Sequence, residues 1–274
     1  MDVTVNPKHR FSEGVVRALA EATGIADSEQ WYHIMGLVAK SEHDGGPETW
    51  DRTDKKGVSV FNYAQALSYD RSQRGVTMGL VGFTTHNDGK SEWGDAQPLF
   101  KAYAAAGGHD LADLAVGVTK NKAKADALCK IINDLDDPAW IECQWRELLK
   151  APAGYLHYTM KVLRKRDLPA PKALTVAMIF DHSLNCGSDG KHSAGKLLEQ
   201  IPDDIRGPAD EKKLIKQFTR IRRDIIGVPK FDYNSPRSNG EHRADMITDL
   251  LDFMDLKGPG AAEAVQKAIG WTMK

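Results

Sequence analysis

The chain has 274 residues with 41% hydrophobic and 27% charged residues, a composition typical of a globular protein. This length fits one large domain, or one domain in two lobes, with a packed core. The net charge of -1 argues against broad binding to nucleic acid or to an anionic membrane surface. In addition, no apolar run approaches the roughly 20 residues that span a bilayer.

The N-terminal segment lacks the features of a signal peptide. It contains neither an apolar core nor a small-residue cleavage site. We therefore expect a chain that is made in the cytosol, or one that begins at the mature N-terminus.

The three cysteines, Cys129, Cys143 and Cys186, show no paired spacing. An odd number at such spacing indicates neither a disulfide framework nor a zinc site. We expect three buried or unreactive thiols, with one disulfide as the open alternative. The histidines also lack metal-ligand spacing, so we expect neither a metal nor a cofactor.

Helical periodicity dominates the start of the chain. Apolar residues recur at helical spacing from Phe11, and Gly24 is expected to end that helix. A second helix is predicted to begin at Ser28, which can cap it, and to end near Glu42, where glycines and a proline follow. Glu42 would then lie beside a loop, where its side chain can enter a cleft.

Residues 57 to 85 change to a β pattern. Valine, leucine, methionine and phenylalanine are interleaved there with Gly75, Gly79 and Gly82. Glycines permit close backbone approach, and the stretch therefore predicts a small twisted sheet. A helix is predicted to follow from Gln97 to Ala106 and to end at Gly107-Gly108.

The remainder of the chain is predicted to be helical. Three or four helices are expected between residues 110 and 163, with Pro138 and Pro152 as boundaries. The apolar helix 172–184 is expected to be central and buried. Beyond it we predict helices near 191–201, 210–226, 241–254 and 260–272, with a polar loop at 229–240.

One carboxylate, Asp181, interrupts the apolar helix. Burying a carboxylate is costly unless it is paired. Candidate partners are Arg220, Arg222 and Arg223 on the next long helix, and Arg237 and Arg243 on and after the loop that follows it. One interpretation is a purely structural ion-pair network. The other is a relay in which Asp181 holds an arginine that orients or tunes Glu42. Because a cation favours the ionised carboxylate, burial of Glu42 would have to oppose it in an acid catalyst.

Several separated motifs follow one another in a characteristic order. They are Glu42 with Trp50 and Tyr63, the run Arg74-Gly-Val-Thr77-Met-Gly-Leu-Val-Gly-Phe83, Gly94-Asp95, Phe180-Asp181, Phe218 with Arg222, and Glu241 with Arg243. Their order and chemistry resemble glycoside hydrolase family 46, the chitosanases, over most of the chain.

The resemblance implies a mainly α, lysozyme-like fold. Such a fold has two helical lobes, a small antiparallel β-sheet and a substrate cleft between the lobes. We therefore expect a single catalytic domain over 1–274, in two lobes of approximately 1–106, with C-terminal helix packing, and 107–274. We also expect a monomer.

The resemblance further implies roles for individual residues. Glu42 would be the general acid, and Thr77 would position the attacking water. Family members invert the anomeric centre, which requires acid and base to stand roughly 6.5–9.5 Å or more apart. Substrate binding would fall to Arg74, Asp95, Trp50 and Tyr63, and the supporting network would comprise Asp181, Arg222 and Arg243.

The expected general base shows one departure from the family pattern. The family places an aspartate two residues before the arginine, and this chain has Ser72 there. The nearest carboxylate is Asp70, which could serve as base from a longer loop. Alternatively, Asp70 is a turn residue and water is activated differently.

The function expected from the resemblance is endo-acting, inverting hydrolysis of β-1,4 linkages in chitosan, with Glu42 as acid and Asp70 as base. The mature enzyme would be extracellular, after loss of a signal peptide or by another export route. The expected partner is a polysaccharide, without nucleic acid or membrane. One alternative is a muramidase that cleaves peptidoglycan. Another is a catalytically inactive carbohydrate-binding protein, which Ser72 would favour.

Overall fold

Helices make up most of the described chain. Together with a small antiparallel sheet they give a mainly α architecture, consistent with a lysozyme-like fold, and the predicted fold class is confirmed. The computed structural model describes residues 2–3, 11–42, 66–70, 75–86, 94–135, 137–226, 239–270 and 272–273.

The elements are numbered in chain order within the described residues. The helices are α1 (Glu13–Thr23), α2 (Ser28–Glu42), α3 (Ala96–Ala105), α4 (Leu111–Ala115), α5 (Lys122–Asn133), α6 (Pro138–Leu149), α7 (Tyr155–Arg164), α8 (Ala173–Cys186), α9 (Ala194–Leu198), α10 (Glu211–Ile226), α11 (Asn239–Thr248) and α12 (Ala261–Ile269). The strands are β1 (Asp2–Val3), β2 (Ala66–Asp70), β3 (Gly75–Met78), β4 (Phe83–Thr84) and β5 (Thr272–Met273). Short 3-10 helices cover Val118–Lys120 and Pro208–Asp210.

The chain divides into two compact units. The prediction of one catalytic domain with a lobe boundary near residue 106 stays a prediction. The first unit comprises Met1–Asp2, Glu13–Asp44 and Leu148–Met273, and the second comprises Val3–Ser12, Gly45–Glu147 and Lys274.

The first unit is built around α8. Every residue of this helix from Ala173 to Ser183 is buried, as its continuous apolar sequence predicted. Helices α2 and α7 pack against it, and α10 also contacts it. A helix that is apolar on all sides has to be covered on all sides, so α8 forms the centre of this core.

Helices α1 and α2 follow the predicted boundaries closely. Gly24 ends α1 with a positive φ of 83°, and its N–H donates to the Ala20 carbonyl at 2.8 Å. The predicted capping of α2 by Ser28 is wrong. The Glu29 N–H donates instead to Asp27 Oδ1 at 2.9 Å, and Ser28 is already the first helical residue.

The second unit contains the predicted small sheet and the helices that cover it. The strand order is β2-β3-β4, with antiparallel neighbours. Trp140 packs against Phe100 and Tyr103, and Trp145 packs against Phe11 with ring centroids 5.4 Å apart. Both tryptophans belong to the core of this unit, because each is only 1% exposed.

The three thiols are free, and two of them have a raised pKa. Burial raises the pKa of Cys129 to about 11 and also raises the pKa of Cys143. Because the thiolate is the reactive form, both side chains are poor nucleophiles at neutral pH.

None of the helices in the described ranges combines the length and apolar content that crossing a membrane requires.

Candidate active site

A buried ion cluster occupies the first unit. Asp181 on α8 contacts Arg222 on α10 and Arg243 on α11, each through a different carboxylate oxygen. The distances are 2.9 Å from Oδ2 to Arg222 Nη1 and 2.6 Å from Oδ1 to Arg243 Nη1. All three side chains are at most 4% exposed, so these charges interact with little screening by solvent.

The described part of this cluster carries an excess of positive charge. Two guanidinium groups share the carboxylate of Asp181, and the neighbouring His182 adds no charge of its own. Burial and the nearby Arg222 lower the pKa of His182 to about 3, so the imidazole is neutral above that pH. Its Nε2 lies 2.8 Å from the His192 carbonyl oxygen. The cluster therefore favours the ionised form of any carboxylate placed near it.

Arg222 has binding capacity that its described neighbours do not use. Its Nε and Nη2 atoms are buried and lack a hydrogen-bond partner in the described part of the chain. Burial also lowers the pKa of this guanidinium, because desolvation disfavours the charged form. Leaving buried charged donors without acceptors is costly, and a second acidic group beside Arg222 would relieve that cost.

Glu42 is the last residue of α2, and the structure fixes this helix firmly. Gln30 Nε2 donates to the Asp255 carbonyl at 2.7 Å, and His33 Nδ1 lies 2.6 Å from the Leu256 carbonyl oxygen. Helix α2 packs against α8, α11 and α12. The helix that ends at Glu42 is thus in contact with the helices that carry Asp181 and Arg243.

The end of a helix has its own electrostatic effect. The carboxyl end of a helix carries partial negative charge, which disfavours an ionised carboxylate placed there. Glu42 holds this position. The side chain of Glu42 itself lies outside the described residues.

In the second unit, strand register defines the surroundings of Thr77. Thr77 on β3 pairs with Ser68 of β2 on one side and with Thr84 of β4 on the other. Asp70 is the last residue of β2 and pairs with Gly75. The candidate base and the candidate water-positioning residue are therefore two register positions apart in the same strand pair.

Asp95 is joined to this sheet by hydrogen bonds. The Thr84 N–H donates to Asp95 Oδ1 at 2.7 Å, and the Thr84 hydroxyl donates to the same oxygen at 3.3 Å. Asp95 is exposed and directly precedes α3. Thr84 pairs with Thr77, so the structure connects Thr77 on the middle strand to Asp95 through Thr84 on the edge strand.

Gly75 is required by the way β3 begins. Its φ is +73°, and an added Cβ would lie only 2.4 Å from the Thr85 hydroxyl oxygen. That hydroxyl accepts a hydrogen bond from the Val76 N–H at 3.1 Å, and it lies 3.0 Å from His86 Nδ1. Burial lowers the pKa of His86, which favours the neutral ring beside this hydroxyl. These contacts of Thr85 fix the position at which β3 begins.

Three of the predicted site residues lie outside the described residues, namely Trp50, Tyr63 and Arg74. Ser72 also lies outside them. Their predicted roles stay predictions. In the described ranges, no three side chains of the His, Cys, Asp and Glu types come together in a way that could hold a metal ion.

Sequence reasoning did not identify Gln144. Its side chain is fully buried, and its Oε1 accepts a hydrogen bond from the Leu80 N–H at 2.7 Å. A buried glutamine on an otherwise apolar helix face was the available signal, since such a group has to find a partner.

Comparison with known proteins gives one informative similarity. No family model matches the chain. The chain is 26% identical over 283 residues to a chitosanase from Niallia circulans, and the match covers 98% of this chain and 86% of that protein. The similarity therefore extends over nearly the full length of both proteins, including both compact units.

Proposed function

We propose that this protein is an endo-acting, inverting glycoside hydrolase that cleaves β-1,4 linkages in chitosan. The observation that carries the proposal is its similarity to a chitosanase over 98% of the chain. The buried Asp181 cluster supports it, because the helices that carry Asp181 and Arg243 pack against the helix that ends at Glu42. A cluster of this kind can change the pKa of an acid catalyst that lies near it.

In the proposed reaction, Glu42 donates its proton to the glycosidic oxygen while the bond from that oxygen to C1 breaks. A water molecule oriented by Thr77 attacks C1 from the opposite face. Asp70 accepts the proton that this water releases, and the product has inverted configuration at C1. The mechanism requires Glu42 to be protonated before the reaction, and a nearby arginine cluster would stabilise its carboxylate afterwards.

The substrate also fits an exposed carboxylate of the second unit. Chitosan carries ammonium groups, and the exposed carboxylate of Asp95 accepts hydrogen bonds from Thr84, the register partner of Thr77. An ammonium group of the polymer would therefore find a fixed negative charge next to the proposed position of the water.

The choice of base can be tested at two neighbouring positions. We expect Asp70→Asn to lower kcat on chitosan roughly 100-fold or more, because the attacking water loses its proton acceptor. Ser72→Ala should leave kcat nearly unchanged. The measurement is the steady-state rate of both variants on soluble chitosan.

Azide gives a sharper version of this test. As an anionic nucleophile it requires no general base, so added azide should restore turnover in Asp70→Asn and yield a glycosyl azide. It should not accelerate a Glu42→Gln variant in the same way. A larger loss in Ser72→Ala than in Asp70→Asn would show that Asp70 is not the base.

The proposed substrate is tested by offering the wild-type protein soluble chitosan and purified peptidoglycan in parallel. We expect glucosamine oligomers from chitosan, identified by mass spectrometry, and no muropeptides. Muropeptides alone would replace chitosan by cell wall as the substrate. Binding to either polymer without any product would contradict an enzymatic function.

A further inference from the structure

Gln144 lies at a position where an apolar residue would be the simpler choice. It is on α6 between the buried residues Trp140 and Leu148, and its side chain is fully buried. Its Oε1 accepts the hydrogen bond from the Leu80 N–H at 2.7 Å, and its Nε2 donates to the Trp140 carbonyl at 3.4 Å. A backbone N–H can only donate, so the amide oxygen has to face Leu80.

The turn between β3 and β4 is shaped around this amide. Gly79 has a φ of +74°, and a Cβ at this position would lie 2.3 Å from Gln144 Oε1. The turn can therefore approach the amide closely only with glycine at 79. Leu80 then supplies the hydrogen bond, so two successive residues of the turn are fitted to one side chain.

The turn is the direct connection to Thr77. Strand β4 consists of Phe83 and Thr84, which pair with Met78 and Thr77. A two-residue strand contributes little stability of its own, so the position of the turn fixes the position of the pair. Thr84 in turn donates both hydrogen bonds to Asp95. A shift of the turn would move Thr77 and the Thr84–Asp95 contact together.

We propose that Gln144 is a positioning residue for the hydrolytic reaction. By holding the turn at 79–82, it places Thr77 where its hydroxyl orients the attacking water. This inference rests on the proposed function. Gln144 lies on α6 and is distant in sequence from the sheet, yet through the turn it would determine where Thr77 holds the attacking water.

The test replaces Gln144 by Met, which has similar volume but removes the acceptor for Leu80. We expect kcat on chitosan to fall about 10- to 100-fold, the size expected when a reacting group is misplaced by a fraction of an ångström to 1 Å. The KM should change less than kcat, because the turn affects substrate binding only through Asp95 but affects the reaction itself through Thr77. Gln144→Glu retains an acceptor oxygen for the Leu80 N–H, and it should recover most of the lost rate.

A purely structural role would give a different result, and a control separates the two. Leu111→Ala truncates another fully buried side chain of the same unit, on a helix that packs against α3 and α5. Both variants should lose thermal stability, but only Gln144→Met should lose kcat when all proteins are assayed well below their melting temperatures. Equal kcat values for the two variants would overturn the proposal.

A double-mutant cycle identifies the residue through which Gln144 acts. Thr77→Val removes the hydroxyl, and Gln144→Met should then cause little further loss of kcat. If the double variant instead loses kcat by the product of the two single-variant factors, the link between Gln144 and Thr77 is overturned. A wild type without turnover on chitosan would overturn this inference together with the proposed function, whereas an active wild type with an unaffected Gln144→Met variant would overturn this inference alone.

Discussion

Replacing Glu42 with Gln should lower kcat on chitosan roughly 100- to 10,000-fold, the range that general acid catalysis contributes. Glutamine has nearly the same shape but cannot donate a proton of comparable acidity to the leaving oxygen. The position at the end of α2 is retained, and removing a carboxylate from the negative end of a helix should not destabilise the fold. Thermal unfolding should therefore be unchanged within experimental error, and this is to be measured alongside the rate.

The leaving group provides the decisive control for this prediction. A substrate that releases dinitrophenolate needs little protonation, so Glu42→Gln should cleave it at a rate close to that of the wild type. Glu29→Gln alters an exposed carboxylate in the first turn of the same helix and should leave turnover on chitosan intact. Substantial chitosan turnover by Glu42→Gln would rule out Glu42 as the acid.

The second large effect is expected for the buried cluster. Replacing Arg222 or Arg243 with Ala should lower the free energy of unfolding by about 3–5 kcal/mol, the usual cost of breaking a buried ion pair on one side. Each replacement leaves Asp181, which is 4% exposed, with one of its two guanidinium partners. Chemical denaturation of both variants measures the loss.

Surface ion pairs supply the matched control for the cluster. Lys122 and Asp126 form an exposed pair on α5, and Lys122→Ala should cost less than about 1 kcal/mol because solvent screens it. The cluster variants should also lose kcat on chitosan under conditions in which they are fully folded, if the cluster tunes Glu42. Unchanged unfolding free energies in both arginine variants would show that the cluster contributes nothing to stability.

The sequence predicted the helices of the first unit well because their signals are local. The apolar run of α8 is too continuous for an exposed helix, and a carboxylate inside it has to be paired. The local sequence is therefore sufficient to assign Asp181 to an ion pair. The prediction that its partners are Arg222 and Arg243 depends on the family resemblance, because several other arginines occur nearby in the sequence.

The features that escaped prediction depend on contacts between distant parts of the chain. The bond between Gln144 and Leu80 joins residues 64 positions apart, and no periodicity reports such a contact. The cap of α2 was missed for a local reason, because Asp27 and Ser28 are adjacent and both residue types are good caps. The hydrogen bonds of Asp95 to Thr84 were missed because they depend on where the sheet ends against α3.

Side-chain contacts hold strand β3 at both ends. Thr85 fixes Gly75 at one end of the strand, and Gln144 fixes Gly79 just beyond the other end. An insertion or deletion between Gly75 and Gly79 would break at least one of these contacts. We therefore expect the length of β3 to be fixed by two side chains that lie outside the strand itself, and a change of one residue in it to displace Thr77.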